Sequence, residues 1–300
     1  ISSLRDTAGA VSYDNESSAT GGGSITGNKW TFNNAALKNA NIVGYADIHF
    51  ADSITLDSAR LNLASTTKGF TAEAVNVLNG SSLTVRTATD IAISALKGRN
   101  SRLFLTALNQ NGRSVGTRSG ANGGGKLAAM SIELPSCDTT VTTWDDVTVG
   151  ESLEASEDGA DPDPDPSIVT ITSVHGGFSL ADHDALETFL RVIDTQLGLH
   201  VAANIDVDHL IITDSNADLT ALADANGLAV DSLASAAGGG DFSAKTVTVS
   251  NGTANALSTS ITAWMDLTIA SDENDGGSGT PDNNVLKAVN TAAGSLTLTL

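Results

Sequence analysis

The sequence predicts a mainly β protein, and three observations support that fold class. Thr, Val and Ile, which favour strands, recur along the whole chain, whereas aromatic residues make up only 4% of it. Apolar and polar residues alternate in many short runs, which is the period of a strand with one buried face. The stretch 143–149 returns as 263–269, and three consecutive glycines precede each copy. We therefore expect a duplicated β module in the C-terminal half, with Trp144 and Trp264 in its core.

Three regions are predicted along the 300 residues. Residues 1–29 form a polar, Gly-rich tail that we expect to be ordered by contact with the rest of the subunit or with a neighbour. Residues 30–126 form a β-rich domain with a basic loop region. Residues 127–300 form an acidic duplicated β module with inserted helices.

Short apolar pairs define the strands of the region 30–126. Within most pairs the two residues are two positions apart, and turn-forming residues separate one pair from the next. Short strands with tight turns predict a β-solenoid-like region or a β-sandwich. The residues predicted to face the core are Ile42, Val43, Ile48, Phe50, Ile54, Leu56, Leu61, Leu63, Val75, Val77, Leu83, Val85, Ile91, Ile93, Leu103 and Leu105.

A short α-helical segment is predicted as an insertion over about 179–236. Ser179 is a natural N-cap, and Gly198 offers a C-terminal stop. Between them an apolar stripe follows the helical period through Leu186, Phe189, Leu190, Ile193 and Leu197. Residues 217–225 and 228–236 are Ala-rich and predict two shorter helices, whereas residues 210–213 predict a buried strand.

The net charge of −20 is divided unevenly along the chain. Residues 1–126 contain twelve Lys/Arg and eight Asp/Glu, a net of +4, whereas residues 127–300 contain three and twenty-seven, a net of −24. Such asymmetry is a clue to interaction, and we expect Arg99, Arg102 and Arg113 of one copy to meet the acidic half of another. The alternative is two domains with different surfaces in a salty habitat, where charges are screened. The net charge and the single aromatic residue in the basic stretch 86–126 disfavour nucleic acid. The chain contains no stretch of ~20 apolar residues, so membrane insertion is not predicted.

Two acidic loops, residues 151–165 (the first acidic loop) and 272–282, are candidate Ca²⁺ sites. Ca²⁺ takes about six to eight oxygen ligands, which Asp-rich loops can supply. The alternative is that both loops are simply solvated. A zinc site is not predicted, because the histidines lack a ligand spacing and Cys137 is the single cysteine. The candidate ligands are Asp158, Asp161, Asp163, Asp165, Asp272, Asp275 and Asp282.

The last residues predict a strand with one apolar face. Leu296, Leu298 and Leu300 alternate with threonines. Such a strand either completes its own sheet or pairs with a neighbouring copy, where its leucines would form part of an interface.

These features favour a structural subunit of an extracellular or cell-surface assembly, such as a filament, sheath or surface layer, whose main partner is the chain itself. One alternative is a viral structural protein, a capsid decoration or tail-fibre subunit located on the virion. A further alternative is a Ca²⁺-dependent adhesin that binds glycans or other surface proteins. A polysaccharide-cleaving enzyme on a β-helix ranks last among the alternatives. An enzyme is not predicted, because nucleophile-elbow and phosphate-loop motifs are missing.

Overall fold

Alternating apolar and polar residues fold most of the chain into strands. The computed structural model describes residues 10–14, 24–33, 39–157, 166–180, 188–251, 257–269, 285–291 and 295–299. The strands are β1 (Ala10–Asp14), β2 (Ile25–Asn33), β3 (Asn39–Gly44), β4 (Ile48–Asp57), β5 (Arg60–Ser65), β6 (Phe70–Leu78), β7 (Ser82–Thr87), β8 (Ile91–Gly98), β9 (Ser101–Gln110), β10 (Arg113–Ser114), β11 (Gly123–Gly124), β12 (Leu127–Pro135), β13 (Cys137–Thr143), β14 (Val147–Ser156), β15 (Ser167–Ser173), β16 (Phe178–Leu180), β17 (Phe189–Ile193), β18 (Thr195–Val201), β19 (Ile205–Thr213), β20 (Asn216–Ala223), β21 (Gly238–Gly239), β22 (Phe242–Asn251), β23 (Ser258–Ala263), β24 (Leu267–Ile269), β25 (Val285–Thr291) and β26 (Ser295–Thr299). Two single-turn 3-10 helices, Arg118–Gly120 and Leu233–Ser235, complete the described elements, which include no α-helix.

The chain coils around two parallel sheets, A and B. Each turn of the coil adds one strand to sheet A and either one strand or two short consecutive strands to sheet B. Sheet A has the order β1-β3-β5-β7-β9-β13-β15-β18-β20-β23-β26, and sheet B has β2-β4-β6-β8-β12-β14 followed by β16 and β17, β19, β22, and β24 and β25. Among the described strands, antiparallel pairing is confined to the short β10, β11 and β21. The mainly β class is therefore confirmed, with strands that alternate between the sheets along the chain.

One apolar core lies between the two sheets. All sixteen residues predicted to face the core in the region 30–126 are buried. Equivalent residues stack from turn to turn, as in the row Leu61, Leu83 and Leu103 of sheet A. Full burial of each such leucine contributes about 1.5–3 kcal/mol. The core cluster extends from Phe32 to Ala263.

The sheets continue across the boundary predicted at residue 126. Strand β12 pairs in parallel with β8 on one side and with β14 on the other. Strand β13 joins β9 to β15 in the same way. Of the predicted tail, residues 10–14 and 25–29 lie in β1 and β2, and 24 lies just before β2. Its other residues lie outside the described ranges.

The helix predicted over 179–197 is wrong. Its described residues lie in β16, β17 and β18, where Leu190 pairs with Leu153 and Leu210 in the neighbouring turns. Asp194 separates β17 from β18 with a φ of 50°, and this turn resets the alternation of buried residues. Phe189 and Ile193 are half-buried, whereas Leu190 and Leu197 are buried, so the predicted stripe combines apolar residues from both faces of the strands and imitates a helical period. Gly198 does not end a helix but lies inside β18.

The two shorter helices are also wrong. Residues 216–223 form β20, in which Ala217, Leu219 and Ala221 are buried. Small and branched side chains alternate here on the face toward the core, so burial overrides the helical preference of alanine. Residues 228–236 lie in a loop that contains one 3-10 turn. The buried strand predicted at 210–213 is confirmed as the end of β19.

Candidate functional site

The corner where the chain leaves sheet A and enters sheet B is built from a ladder of Asp and Asn side chains. Each of these residues directly precedes a strand of sheet B, and its Oδ1 accepts the backbone N–H of the equivalent residue one turn later. The ladder therefore satisfies backbone donors at a place where the chain turns between sheets. The pairs and their N···O distances are Gly69 to Asp47 at 3.3 Å, Lys126 to Asp90 at 3.0 Å, Gly177 to Asp146 at 2.9 Å, Asp241 to Asn204 at 3.0 Å and Asp266 to Asp241 at 2.9 Å.

Two long loops leave the coil at this corner. The first loop (residues 111–125) follows β9, and the second loop (residues 224–240) follows β20. Each contains one 3-10 turn and then a two-residue glycine strand that pairs back onto the preceding long strand. From the 3-10 turns to the glycines, equivalent positions are 115 residues apart, as Arg118 and Leu233 are at the start of the two turns. The sequence duplication therefore includes both loops.

The last two of the three glycines in each loop allow the chain to pass close to the corner. A Cβ atom on Gly124 would lie 2.2 Å from the Ala107 carbonyl oxygen and 2.6 Å from Trp144 Cβ. A Cβ atom on Gly239 would lie 2.3 Å from the Ala221 oxygen and 2.8 Å from Trp264 Cβ. Backbone cannot give way at such distances, so glycine is required in both copies.

The two tryptophans follow the glycine segments in space and lie at corners, not inside strands. The backbone N–H of Trp144 donates to the carbonyl of Ala107 at 3.2 Å, and the backbone N–H of Trp264 donates to that of Ala221 at 3.3 Å. Their surroundings differ. The Trp144 ring lies against His175, with ring centroids 4.3 Å apart, whereas Trp264 is 44% exposed. Trp144 is half-buried and lies outside the core cluster, so the expectation that Trp144 and Trp264 belong to the core is wrong for both.

The second loop packs against the turn that follows the first copy. Ala229 donates its N–H to the carbonyl of Val174 at 3.0 Å, and its own carbonyl accepts from Arg118 Nη1 at 2.7 Å. The Asp231 carboxylate lies 3.8 Å from Nδ1 of His200. The basic first loop thus contacts the acidic second loop within one chain.

The arginines predicted to form an interface are not brought together. Arg99 lies in the turn before β9, and Arg102 is exposed near the start of that strand. Arg113 lies beyond its other end and pairs with Gln110. Because a strand rises ~3.3 Å per residue, Arg102 and Arg113 are separated by roughly 26 Å.

The predicted C-terminal strand forms β26 and pairs with β23 of its own sheet. Leu296 pairs with Thr259 and Leu298 with Ile261. Leu300 lies outside the described residues.

The predicted Ca²⁺ ligands all lie outside the described residues: Asp158, Asp161, Asp163, Asp165, Asp272, Asp275 and Asp282. In the described part of the chain, no group of three or more His, Cys, Asp or Glu side chains could hold a metal ion. Close to the first acidic loop, however, carboxyl groups stack in successive turns. Burial, followed by the charge of Asp214, raises the pKa of Asp194, and burial followed by Asp194 raises the pKa of Glu157.

Asp145 adds a further perturbed carboxyl at the tryptophan corner. Partial burial of the carboxyl raises its pKa, and the charges of Asp146 and Asp90 raise it further, although the residue as a whole is exposed. Sequence alone signals the Asp145–Asp146 pair but not Asp90, which lies two turns away.

Two grooves lie on the outer face of sheet B. One, of about 450 Å³, has the small residues Ala72, Ala92 and Ala128 in its lining. The other, of about 340 Å³, includes Asp206 in its lining, and Thr148 belongs to both. The sequence did not indicate these grooves, because their lining residues come from different turns.

Comparison of the chain with protein-family models, with curated proteins and with solved structures finds no match. No function is therefore carried over from a relative. In the described ranges, no helix is long and apolar enough to cross a membrane.

Proposed function

We propose that the chain is a structural, non-catalytic subunit of an extracellular assembly, a filament, sheath or surface layer, that grows by contact between copies of itself. The observation that carries this proposal is the strand edge at each end of the coil. Within the described residues, β1 and β2 pair on one side only, as do β24, β25 and β26 at the opposite end.

An unpaired edge presents a row of backbone donors and acceptors that another chain can extend. The two ends of a parallel coil are different surfaces, so a contact between them joins the head of one copy to the tail of the next. Contacts of this kind repeat without closing when the rotation does not return to its start, and they generate filaments. A tail fibre on a virion would grow through the same edges.

The charge distribution supports the same orientation. The half of the chain at the β1 end carries +4, and the half at the β26 end carries −24. Opposite potentials speed association and select the head-to-tail arrangement over head-to-head contact. Assembly through this attraction weakens with salt, because exposed charges are screened beyond about 8–10 Å.

Electron microscopy and sedimentation of the purified chain test this proposal. We expect elongated arrays that shorten at high salt. We further propose that Ca²⁺ in the acidic loops stabilises the assembled state, so chelator shortens the arrays and lowers the melting temperature, since a ligand of the folded form raises its stability. A chain that stays monomeric at every concentration contradicts the assembly proposal, and unchanged arrays after chelation contradict the Ca²⁺ proposal alone.

A further inference from the structure

We propose that the second loop and its corner form the surface on which a second copy of this chain docks. The surface is defined by Leu233, Trp264 and Met265 and is called the docking surface below. This inference rests on the proposed assembly and names the contact that would hold it together.

The internal duplication provides a template for such a contact. In the first copy, the next turn of the coil covers the corner. The Trp144 ring lies against the His175 ring, and the backbone N–H of His175 donates to the Trp144 carbonyl at 2.8 Å. The first loop is joined to the second loop by Arg118, whose Nη1 donates to the carbonyl oxygen of Ala229. The corner of the first copy is therefore covered by the next turn of the coil, and its loop contacts a second loop of the same kind.

The second copy has the same backbone but no equivalent cover among the described residues. Met265 donates its N–H to the carbonyl of Gly240 at 3.2 Å, as Asp145 does to that of Gly125 at 3.2 Å, which fixes Met265 as the equivalent of Asp145. The tryptophans are equivalent in the same way. Leu233 takes the place of Arg118 in the 3-10 turn.

Substitution between the two copies makes the docking surface more apolar. Where the first copy has Arg118 and Asp145, the second has Leu233 and Met265. These two side chains are 47% and 57% exposed. Large side chains with this exposure gain free energy when a partner buries them.

The charge around the docking surface selects a basic partner. The second loop contains Asp224 and Asp231 and no Lys or Arg, whereas the first loop contains Arg113 and Arg118 and no Asp or Glu. Within the chain, the second loop already contacts the first loop through Arg118. Residues 1–126 of a second copy carry a net charge of +4 and therefore complement the acidic second loop. The contact then joins two different surfaces of the chain.

Charge placed at the docking surface tests this inference. Met265→Lys is compared with Met130→Lys, which changes another exposed methionine, on the outer face of sheet B, at 44% exposure. We expect Met265→Lys to raise the concentration at which assembly begins by about ten-fold or more, because the lysine would be desolvated against a basic partner. Met130→Lys should assemble like the wild type. Leu233→Lys is a second, independent variant, and circular dichroism verifies that each one is folded.

The outcomes separate this inference from the proposed function. If the wild type and both docking-surface variants assemble equally well, the docking surface is wrong while the assembly proposal stands. If Met130→Lys blocks assembly as strongly as Met265→Lys, the effect is not specific and the docking surface is again wrong. If the wild type does not assemble at all, the proposed function fails and this inference fails with it.

Discussion

Single glycines determine whether the loops can close onto the coil. Gly239 has no room for a Cβ atom, whereas a Cβ on its neighbour Gly238 would meet nothing within 4 Å. We expect Gly239→Ala to lower the free energy of unfolding by about 1–3 kcal/mol, the usual cost of overpacking. Gly238→Ala should be neutral or should stabilise the fold by up to about 1 kcal/mol, because alanine lowers the conformational entropy of the unfolded chain. Urea unfolding of both variants measures the difference, and equal stabilities would contradict the close approach.

The carboxyl of Asp145 makes stability depend on pH. Burial, Asp146 and Asp90 raise its pKa above the ordinary value of 3.8. The folded state therefore holds this proton more tightly than the unfolded state, and its contribution, present below pH 3.8, is lost as pH rises through the folded pKa. Asp145→Asn should be more stable than the wild type at neutral pH and should lose that advantage in acid. Unfolding at pH 3 and pH 7 checks this prediction, and an identical wild-type-to-variant difference at both values would contradict it.

At the scale of the element, β26 lies at the end of its sheet and pairs with β23 alone among the described strands. In a stacked coil each turn contacts only its neighbours, so loss of the last turn should spread little. We expect a chain lacking residues 295–300 to remain folded and to lose amide protection in β23 but not in β13. Hydrogen exchange read by mass spectrometry makes the comparison. Loss of protection throughout the coil would contradict local stacking.

Element types could be predicted where the alternation is uninterrupted. Residues such as Leu61 and Leu83 repeat the two-residue period of a strand, and all the predicted core pairs are buried. The prediction failed where a turn resets that period, as Asp194 does between β17 and β18. Apolar residues on both faces of β17 then combine into a helical spacing, and only pairing with neighbouring turns determines which structure forms.

At the scale of the whole molecule, the corner ladder could not be predicted from a fixed repeat length. Its bonded partners are 22, 36, 31, 37 and 25 residues apart, because loops of different length leave the coil between them. The duplication was visible because both loops retain their glycines and tryptophans. Its structural meaning was not visible, since Gly124 contacts Ala107 and Trp144, which are distant in sequence.

The parallel coil also fixes the distance between the two loops along its axis. Strands β9 and β20, from which the two loops arise, are four turns apart in sheet A. Neighbouring strands are about 4.7–4.9 Å apart, so the loops originate roughly 19 Å from each other along the axis. Gain or loss of a whole four-turn block during evolution would change the rod by that increment, leave the register of every remaining strand intact, and space successive loops at a constant interval along one side.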